Sequence, residues 1–94
     1  MALRHLILFH VRGGTPRAAV DEAISALRAL ADLPGILEYR IEESSDTRKG
    51  VVIVENVLFA DDDALQAFRT SPEHEVSAAI LRDIADWVVG DYLE

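Results

Sequence analysis

The feature that most constrains the fold is an almost unbroken apolar stretch from Gly50 to Phe59, GVVIVENVLF, which only Glu55 and Asn56 interrupt. A short stretch rich in β-branched residues is typical of a strand buried on both faces, because a strand with one solvated face alternates apolar and polar residues. The stretch therefore predicts a central strand in a sheet that is covered on both sides.

The composition limits the classes of function. The formal net charge of −8 and a pI near 4.7 argue against nucleic-acid binding, which needs clusters of Lys and Arg. No basic amphipathic segment, long apolar run or signal-peptide pattern predicts contact with a membrane. The chain has no cysteine, which excludes disulfides and thiolate chemistry. We expect one cytoplasmic domain over residues 1–94.

Four strands and three helices can be assigned along the chain. The predicted strands are Leu3–Val11, Ile36–Glu43, Gly50–Phe59 and Asp86–Leu93. The first predicted helix has Thr15 as its N-cap, begins with Pro16 and runs to about Asp32. A short helix capped by Asp61–Asp63 and a helix opened by the cap Ser71 and by Pro72 follow the third strand. On the last helix, Val76, Ile80 and Ile84 form the predicted apolar stripe. The order predicts an α+β, ferredoxin-like βαββαβ fold with a four-stranded antiparallel sheet and helices on one face.

The second face of this sheet needs a cover. The first and third strands, which have no polar face, are expected side by side in the middle. By parity, the face away from the helices carries apolar side chains: Leu6, Leu8, Val52, Val54 and Leu58. A soluble monomer rarely exposes an apolar patch of this size. We therefore expect a homodimer in which two sheets pack face to face.

Several segments resemble one known family. The opening HLILF, the loop SxDTRKG before the central strand, the segment LFADDDALQAFRTSPEH and the terminal DY pair are similar to the stress-responsive A/B barrel (Dabb) family. The resemblance spans nearly the whole chain and implies a dimeric α+β barrel. Relatives include plant stress-induced proteins without assigned chemistry. They also include a plant polyketide cyclase that forms olivetolic acid by aldol condensation without metal or organic cofactor.

Two histidines are candidate site residues on the strength of this resemblance. His74, in the first turn after Ser71-Pro72, matches the histidine that cyclase-type members use as a base, and a helix N-terminus favours the neutral ring that a base requires. The alternative is that it only packs or caps the helix. His5 matches a pocket-lining histidine, and the alternative is a satisfied core residue. His10 has the opposite parity and is expected at the dimer interface or strand end.

Glu55 is the third candidate, and it comes from the residues alone. By parity it shares the helix-facing side with His5. A carboxylate inside a buried strand is costly unless it is paired or protonated. Glu55 could serve as a proton acceptor, or it could form a structural ion pair. If the register slips by one residue, Asn56 takes its place.

The sequence also departs from the cyclase pattern. The tyrosine that assists the base there is Phe68 here, and a further pocket histidine falls at Ile53. A phenyl ring cannot donate a hydrogen bond to an enolate, so the same aldol cyclisation is not expected. A mainly apolar pocket for a small apolar or aromatic ligand is expected between sheet and helices, lined by Ile7, Phe9, Ile53 and Phe68.

No metal site or cofactor is expected. The histidines lack metal-ligand spacing, Asp61–Asp63 fits a helix cap, and there is no phosphate-binding glycine loop. Three functions stay open. The first is cofactor-independent acid–base catalysis by His74, His5 and Glu55 on a polyketide-like or other carbonyl compound, as a cyclase or isomerase. The second is a non-catalytic, stress-associated binding or structural homodimer. The third is a cofactor-free monooxygenase.

Overall fold

The computed structural model describes residues 1–94 and contains a four-stranded antiparallel sheet with three helices. The elements are β1 (Leu3–Val11), α1 (Arg17–Arg28), β2 (Ile36–Glu43), β3 (Val52–Phe59), α2 (Asp62–Arg69), α3 (Pro72–Ile84) and β4 (Ala85–Leu93). The strand order is β2-β3-β1-β4, so the two most apolar strands are adjacent at the centre. This arrangement confirms the predicted βαββαβ fold.

The register of the sheet decides which side chains meet. His5 lies opposite Val57 of β3 and Asp91 of β4. Glu55 lies opposite Ile7 of β1 and Ile41 of β2. Directly paired residues of antiparallel strands point to the same face. The sheet therefore directs His5 and Glu55 to one side, as their parity predicts.

That side forms the hydrophobic core under the helices. It includes the following fully buried residues: Val20, Ala23, Leu27 and Leu30 from α1 and its C-terminal turn, Ile53, Val57 and Phe59 from β3, and Leu65, Phe68 and Leu81 from α2 and α3. The rings of Phe59 and Phe68 meet edge to face with centroids 5.1 Å apart. The contact ties α2 to the centre of the sheet.

The helix starts follow local chemistry, with one exception. Asp61 caps α2 by accepting the N–H of Ala64 at 2.9 Å, and Ser71 caps α3 by accepting the N–H of His74 at 3.2 Å. The prediction of a cap at Thr15 was wrong. The cap residue of α1 is Pro16, without a side-chain hydrogen bond, and the Thr15 hydroxyl instead donates to the carbonyl of Arg12 at 2.7 Å.

Two element boundaries also differ from the prediction. Helix α1 ends at Arg28 rather than near Asp32, because the chain turns towards Gly35. Gly35 has φ 83°, and a Cβ at this position would lie 2.5 Å from the Cβ of Ala64. Only glycine fits there. The central strand begins at Val52, since Gly50, with φ 87°, closes the preceding turn.

The apolar stripe of α3 is rotated from the predicted one. Val76 is 62% exposed, whereas Ser77 and Leu81 are buried and Ile80 and Ile84 pack at the edge of the core. Ser77 is tolerated inside because its hydroxyl donates to the carbonyl of His74 at 2.9 Å. The stripe predicted from hydrophobicity included Val76, whereas the buried face of α3 is centred on Ser77 and Leu81.

The other face of the sheet, here called the open face, is apolar and uncovered. It includes Leu8, Val88 and Tyr92, which are 47%, 64% and 52% exposed. Strand β4 is at the edge of the sheet, and Trp87, Val89 and Leu93 are exposed on its helix-facing side. No helix is long and apolar enough to cross a membrane.

Candidate functional site

His5 and Glu55 lie side by side under the helices. Each residue is only 2% exposed. His5 Nε2 and Glu55 Oε2 are 3.8 Å apart, so an approach of roughly 1 Å brings them into hydrogen-bond distance. Neighbouring strands thus provide a buried acid and a buried base that can exchange one proton.

Asp91 fixes the orientation of His5. It lies opposite His5 on β4, and its Oδ1 is 2.6 Å from His5 Nδ1. A carboxylate in this position accepts the Nδ1–H and leaves the lone pair of Nε2 free. That lone pair then faces Glu55. The other oxygen of Asp91 accepts a longer hydrogen bond, of 3.4 Å, from Arg69 at the end of α2.

Tyr39 completes the surroundings of Glu55. The Tyr39 hydroxyl donates to the carbonyl of Leu27 at 2.5 Å and lies 3.3 Å from Glu55 Oε1. A carbonyl can only accept, so the shorter contact uses the single hydroxyl proton. The phenol oxygen is then available to accept a hydrogen bond from a protonated Glu55.

The environment favours the neutral form of Glu55. Burial raises the pKa of its carboxyl to about 7, against the effect of any hydrogen bond from Tyr39, which lowers it. A carboxyl with this pKa can give or take a proton near neutral pH. Burial and the adjacent Glu55 charge likewise raise the pKa of Tyr39, so its hydroxyl stays protonated.

His74, at the start of α3, is connected with this group through the rings of Phe68 and Phe59. Its ring is half-buried and meets Phe68 edge to face with centroids 5.0 Å apart. Its backbone takes part in the Ser71 cap, but neither ring nitrogen forms a hydrogen bond within the protein. Burial lowers the pKa of His74, Glu75 opposes that shift, and the charges of His5, Arg69 and Arg82 lower the pKa further. The lowered pKa favours the neutral ring, which has a free lone pair.

The predicted pocket-lining residues all lie in the core. Ile7, Phe9 and Ile53 are buried on the same side as His5, and Phe68 contacts both Phe59 and His74. None of the five principal pockets is lined by His5, Glu55 or His74. One groove of about 340 Å³ includes the outer side of Phe68; it is lined by Leu33, Pro34, Ala67, Phe68, Ser71 and Glu73. His74 does not line this groove, but the Phe68 ring, which does, meets the ring of His74.

The two largest of these five pockets lie on the open face instead. Their volumes are about 460 and 400 Å³, and both include Leu8, Val52 and Lys49. His10 lines the second, where its Nε2 donates to the carbonyl of Lys49 at 2.6 Å. No group of three or more His, Asp or Glu side chains is placed to hold a metal ion.

Three residues near the site were not among the sequence candidates. Tyr39 lies on β2, and the terminal DY pair includes Asp91, but neither was assigned a role from the sequence. The β4 register would have been needed to place Asp91 opposite His5. The sequence places Arg69 near the end of a helix but does not predict its contact with Asp91.

The sequence profile of the stress-responsive A/B barrel domain, Dabb, matches residues 3–94. The chain belongs to this family. An uncharacterised protein of Streptomyces coelicolor is 32% identical over 96 residues, which cover 96% of this chain and 97% of the relative. The matched range includes the segments from HLILF to the DY pair.

Solved structures of similar fold have diverse descriptions. A dimeric ferredoxin-like protein of unknown function from Thermobifida fusca has a TM-score of 0.89 at 22% identity, covering 100% of this chain and 92% of the other. SnoaB, a cofactor-independent oxygenase from Streptomyces nogalater, has a TM-score of 0.80 at 18% identity, covering 99% and 92%. A hydroxynitrile lyase from Passiflora edulis has a TM-score of 0.83 at 17% identity, covering 99% and 93%. At these identities the similarity establishes the fold alone.

Proposed function

We propose that this protein is a cofactor-independent acid–base enzyme that acts on a small carbonyl compound. The observation that carries the proposal is the His74 ring, whose two nitrogens have no hydrogen-bond partner in the protein. Burial lowers the pKa of this ring and so favours the neutral imidazole. Aromatic contacts through Phe68 and Phe59 connect it with His5, which forms an oriented and buried pair with Glu55. An unpaired base, together with a pair of groups that exchange a proton, can transfer a proton to and from carbon.

In this mechanism His74 removes a proton from the carbon next to the carbonyl group. The electrons of the C–H bond form an enolate, and the imidazole becomes an imidazolium. His5 and Glu55 hold or return a proton nearby, with Asp91 keeping the His5 lone pair directed at Glu55. The core around Ile7, Phe9, Ile53 and Phe68 supplies apolar contacts for a substrate with an apolar or aromatic part, once Phe68 moves aside.

We further propose that the active form is a homodimer. The exposed apolar residues of the open face support this, since a second copy of the same face would cover them. The description of the Thermobifida fusca protein as dimeric supports it as well.

A non-catalytic binding or structural dimer is the second candidate. The observation in its favour is the close packing of Phe59, Phe68 and Ile53, each at most 2% exposed, over the region that a substrate would need. The oxygenase description of SnoaB makes oxygen consumption worth measuring with any aromatic substrate.

The test is exchange of carbon-bound protons in D₂O, followed by NMR for simple ketones such as acetophenone. We expect the wild-type protein to accelerate exchange next to the carbonyl. His74→Gln keeps a polar side chain of similar size but removes the base, and it should reduce the rate at least about 100-fold. His10→Gln, which changes a histidine of the open face, is the matched control and should retain the rate.

Two results would contradict the proposal. Wild-type protein that never exceeds the buffer rate across a panel of ketones favours the non-catalytic candidate. Unchanged exchange in a folded His74→Gln variant would show that another group is the base. Urea unfolding of both variants separates lost chemistry from lost stability.

A further inference from the structure

The turn between α2 and α3 joins a helix that ends in a cation to the helix that begins with the candidate base. Arg69 is the last residue of α2, and His74 is the third residue of α3. Arg69 directly follows Phe68, whose ring meets the ring of His74 with centroids 5.0 Å apart, and its guanidinium is 3.4 Å from Asp91, the partner of His5. Contacts through Phe68 and Asp91 therefore connect Arg69 with both candidate histidines.

Arg69 is held more loosely than the other arginines. Its contact is a single 3.4 Å hydrogen bond to Asp91 Oδ2, whereas every other arginine has at least one hydrogen bond of 3.0 Å or less. Asp91 uses its other oxygen for the 2.6 Å contact with His5. A guanidinium has five N–H donors, so most of those of Arg69 remain free. Its side chain is 40% exposed and can reach a ligand.

The proposed reaction requires such a donor. Removing a proton next to a carbonyl moves negative charge to the carbonyl oxygen, and enzymes stabilise that charge with fixed donors or cations. Phe68 cannot donate a hydrogen bond. Arg82 is the other arginine whose charge reaches His74, but it is bound to Glu75 at 2.7 Å. Arg69 is thus the nearby cation with free donors.

We propose that Arg69 binds the carbonyl oxygen of the substrate as it becomes an enolate, while His74 takes the proton from the adjacent carbon. This inference rests on the proposed function and names its substrate class: ketones and 1,3-diketones that form a stabilised enolate. Leaving Asp91 costs Arg69 little, because the contact is long and partly solvated. Asp91 keeps its position because its other oxygen remains hydrogen-bonded to His5 Nδ1.

The test compares binding of two rings of similar size by NMR titration. The first, 1,3-cyclohexanedione, is an enolate at neutral pH, and the second, 3-methoxy-2-cyclohexenone, is neutral. We expect the wild-type protein to bind the enolate more tightly. Arg69→Met should weaken enolate binding about tenfold and leave the neutral ring unaffected, the loss expected for a hydrogen bond to a charged group. Arg69→Lys should restore part of the difference.

Arg82→Met is the matched control, since it removes an arginine of the same neighbourhood that is already paired with Glu75. It should not change enolate binding. Wild-type protein without preference for the enolate, unchanged binding in Arg69→Met, or equal losses in the two variants would each overturn the assignment. Failure of the proposed function is recognised separately, as absent proton exchange by a wild-type protein that still selects the enolate.

Discussion

Glu55 has an ionisable carboxyl in the interior, where the charged form is poorly solvated. Its pKa rises from 4.5 to about 7 on folding, mainly through burial. Between these values the folded state binds the proton more tightly than the unfolded state does. Stability therefore falls as the pH rises through this range. The residue proposed to exchange protons is thus also one that destabilises the folded protein at neutral pH.

Replacing Glu55 by Gln should remove this penalty. At pH 4.5 and below, both side chains are largely neutral, and we expect similar free energies of unfolding. Above pH 7, Glu55→Gln should be more stable than wild type by as much as about 3 kcal/mol. Urea unfolding at several pH values measures the difference. The exposed Glu22→Gln is the control and should give no such gain; a constant difference between Glu55→Gln and wild type across pH would contradict the burial argument.

The helices differ in how far their ends could be predicted. Ser71 and Asp61 were identified as caps from residue type, and both accept the expected backbone N–H. Thr15 has the same signal but turns to the carbonyl of Arg12, because Pro16 takes the cap position. Residue type suggests a cap, whereas the path of the preceding loop decides whether the side chain can form it.

The same limit applies to the site. The alternation of β1 and β3 predicted that His5 and Glu55 share a face, since parity is a local property. Asp91 and Tyr39 belong to the edge strands β4 and β2, and their contacts depend on cross-strand register. Register is set by loops and tertiary packing, so the full line of polar groups could not be derived from spacing alone.

The caps give a direct comparison within one protein. Ser71→Ala should lower the free energy of unfolding by about 1 kcal/mol, because the N–H of His74 loses its acceptor. Thr15→Ala removes a similar hydroxyl that caps no helix, and it should cost less. Urea denaturation at fixed pH measures both. Equal losses would show that the Ser71 cap has no special role.

For the whole molecule, the open face explains a sequence in which half of the residues are hydrophobic. Sixteen buried hydrophobic residues form the core under the helices. Others, including Leu8, Val88 and Tyr92, remain exposed on the open face or along β4. Both faces of the sheet are therefore apolar. The helices of the chain cover one face, and the other face stays exposed.

A charge at the centre of the open face should separate the proposed dimer. Leu8→Glu would bury a carboxylate from each protomer in the proposed interface, and we expect the dissociation constant to rise at least about 100-fold. Val76→Glu changes an exposed apolar residue on α3, away from the open face, and should leave the dimer intact. Sedimentation velocity at micromolar concentrations distinguishes the two. Wild-type protein that sediments as a monomer, or equal dissociation of both variants, would mean that a second copy does not cover the open face.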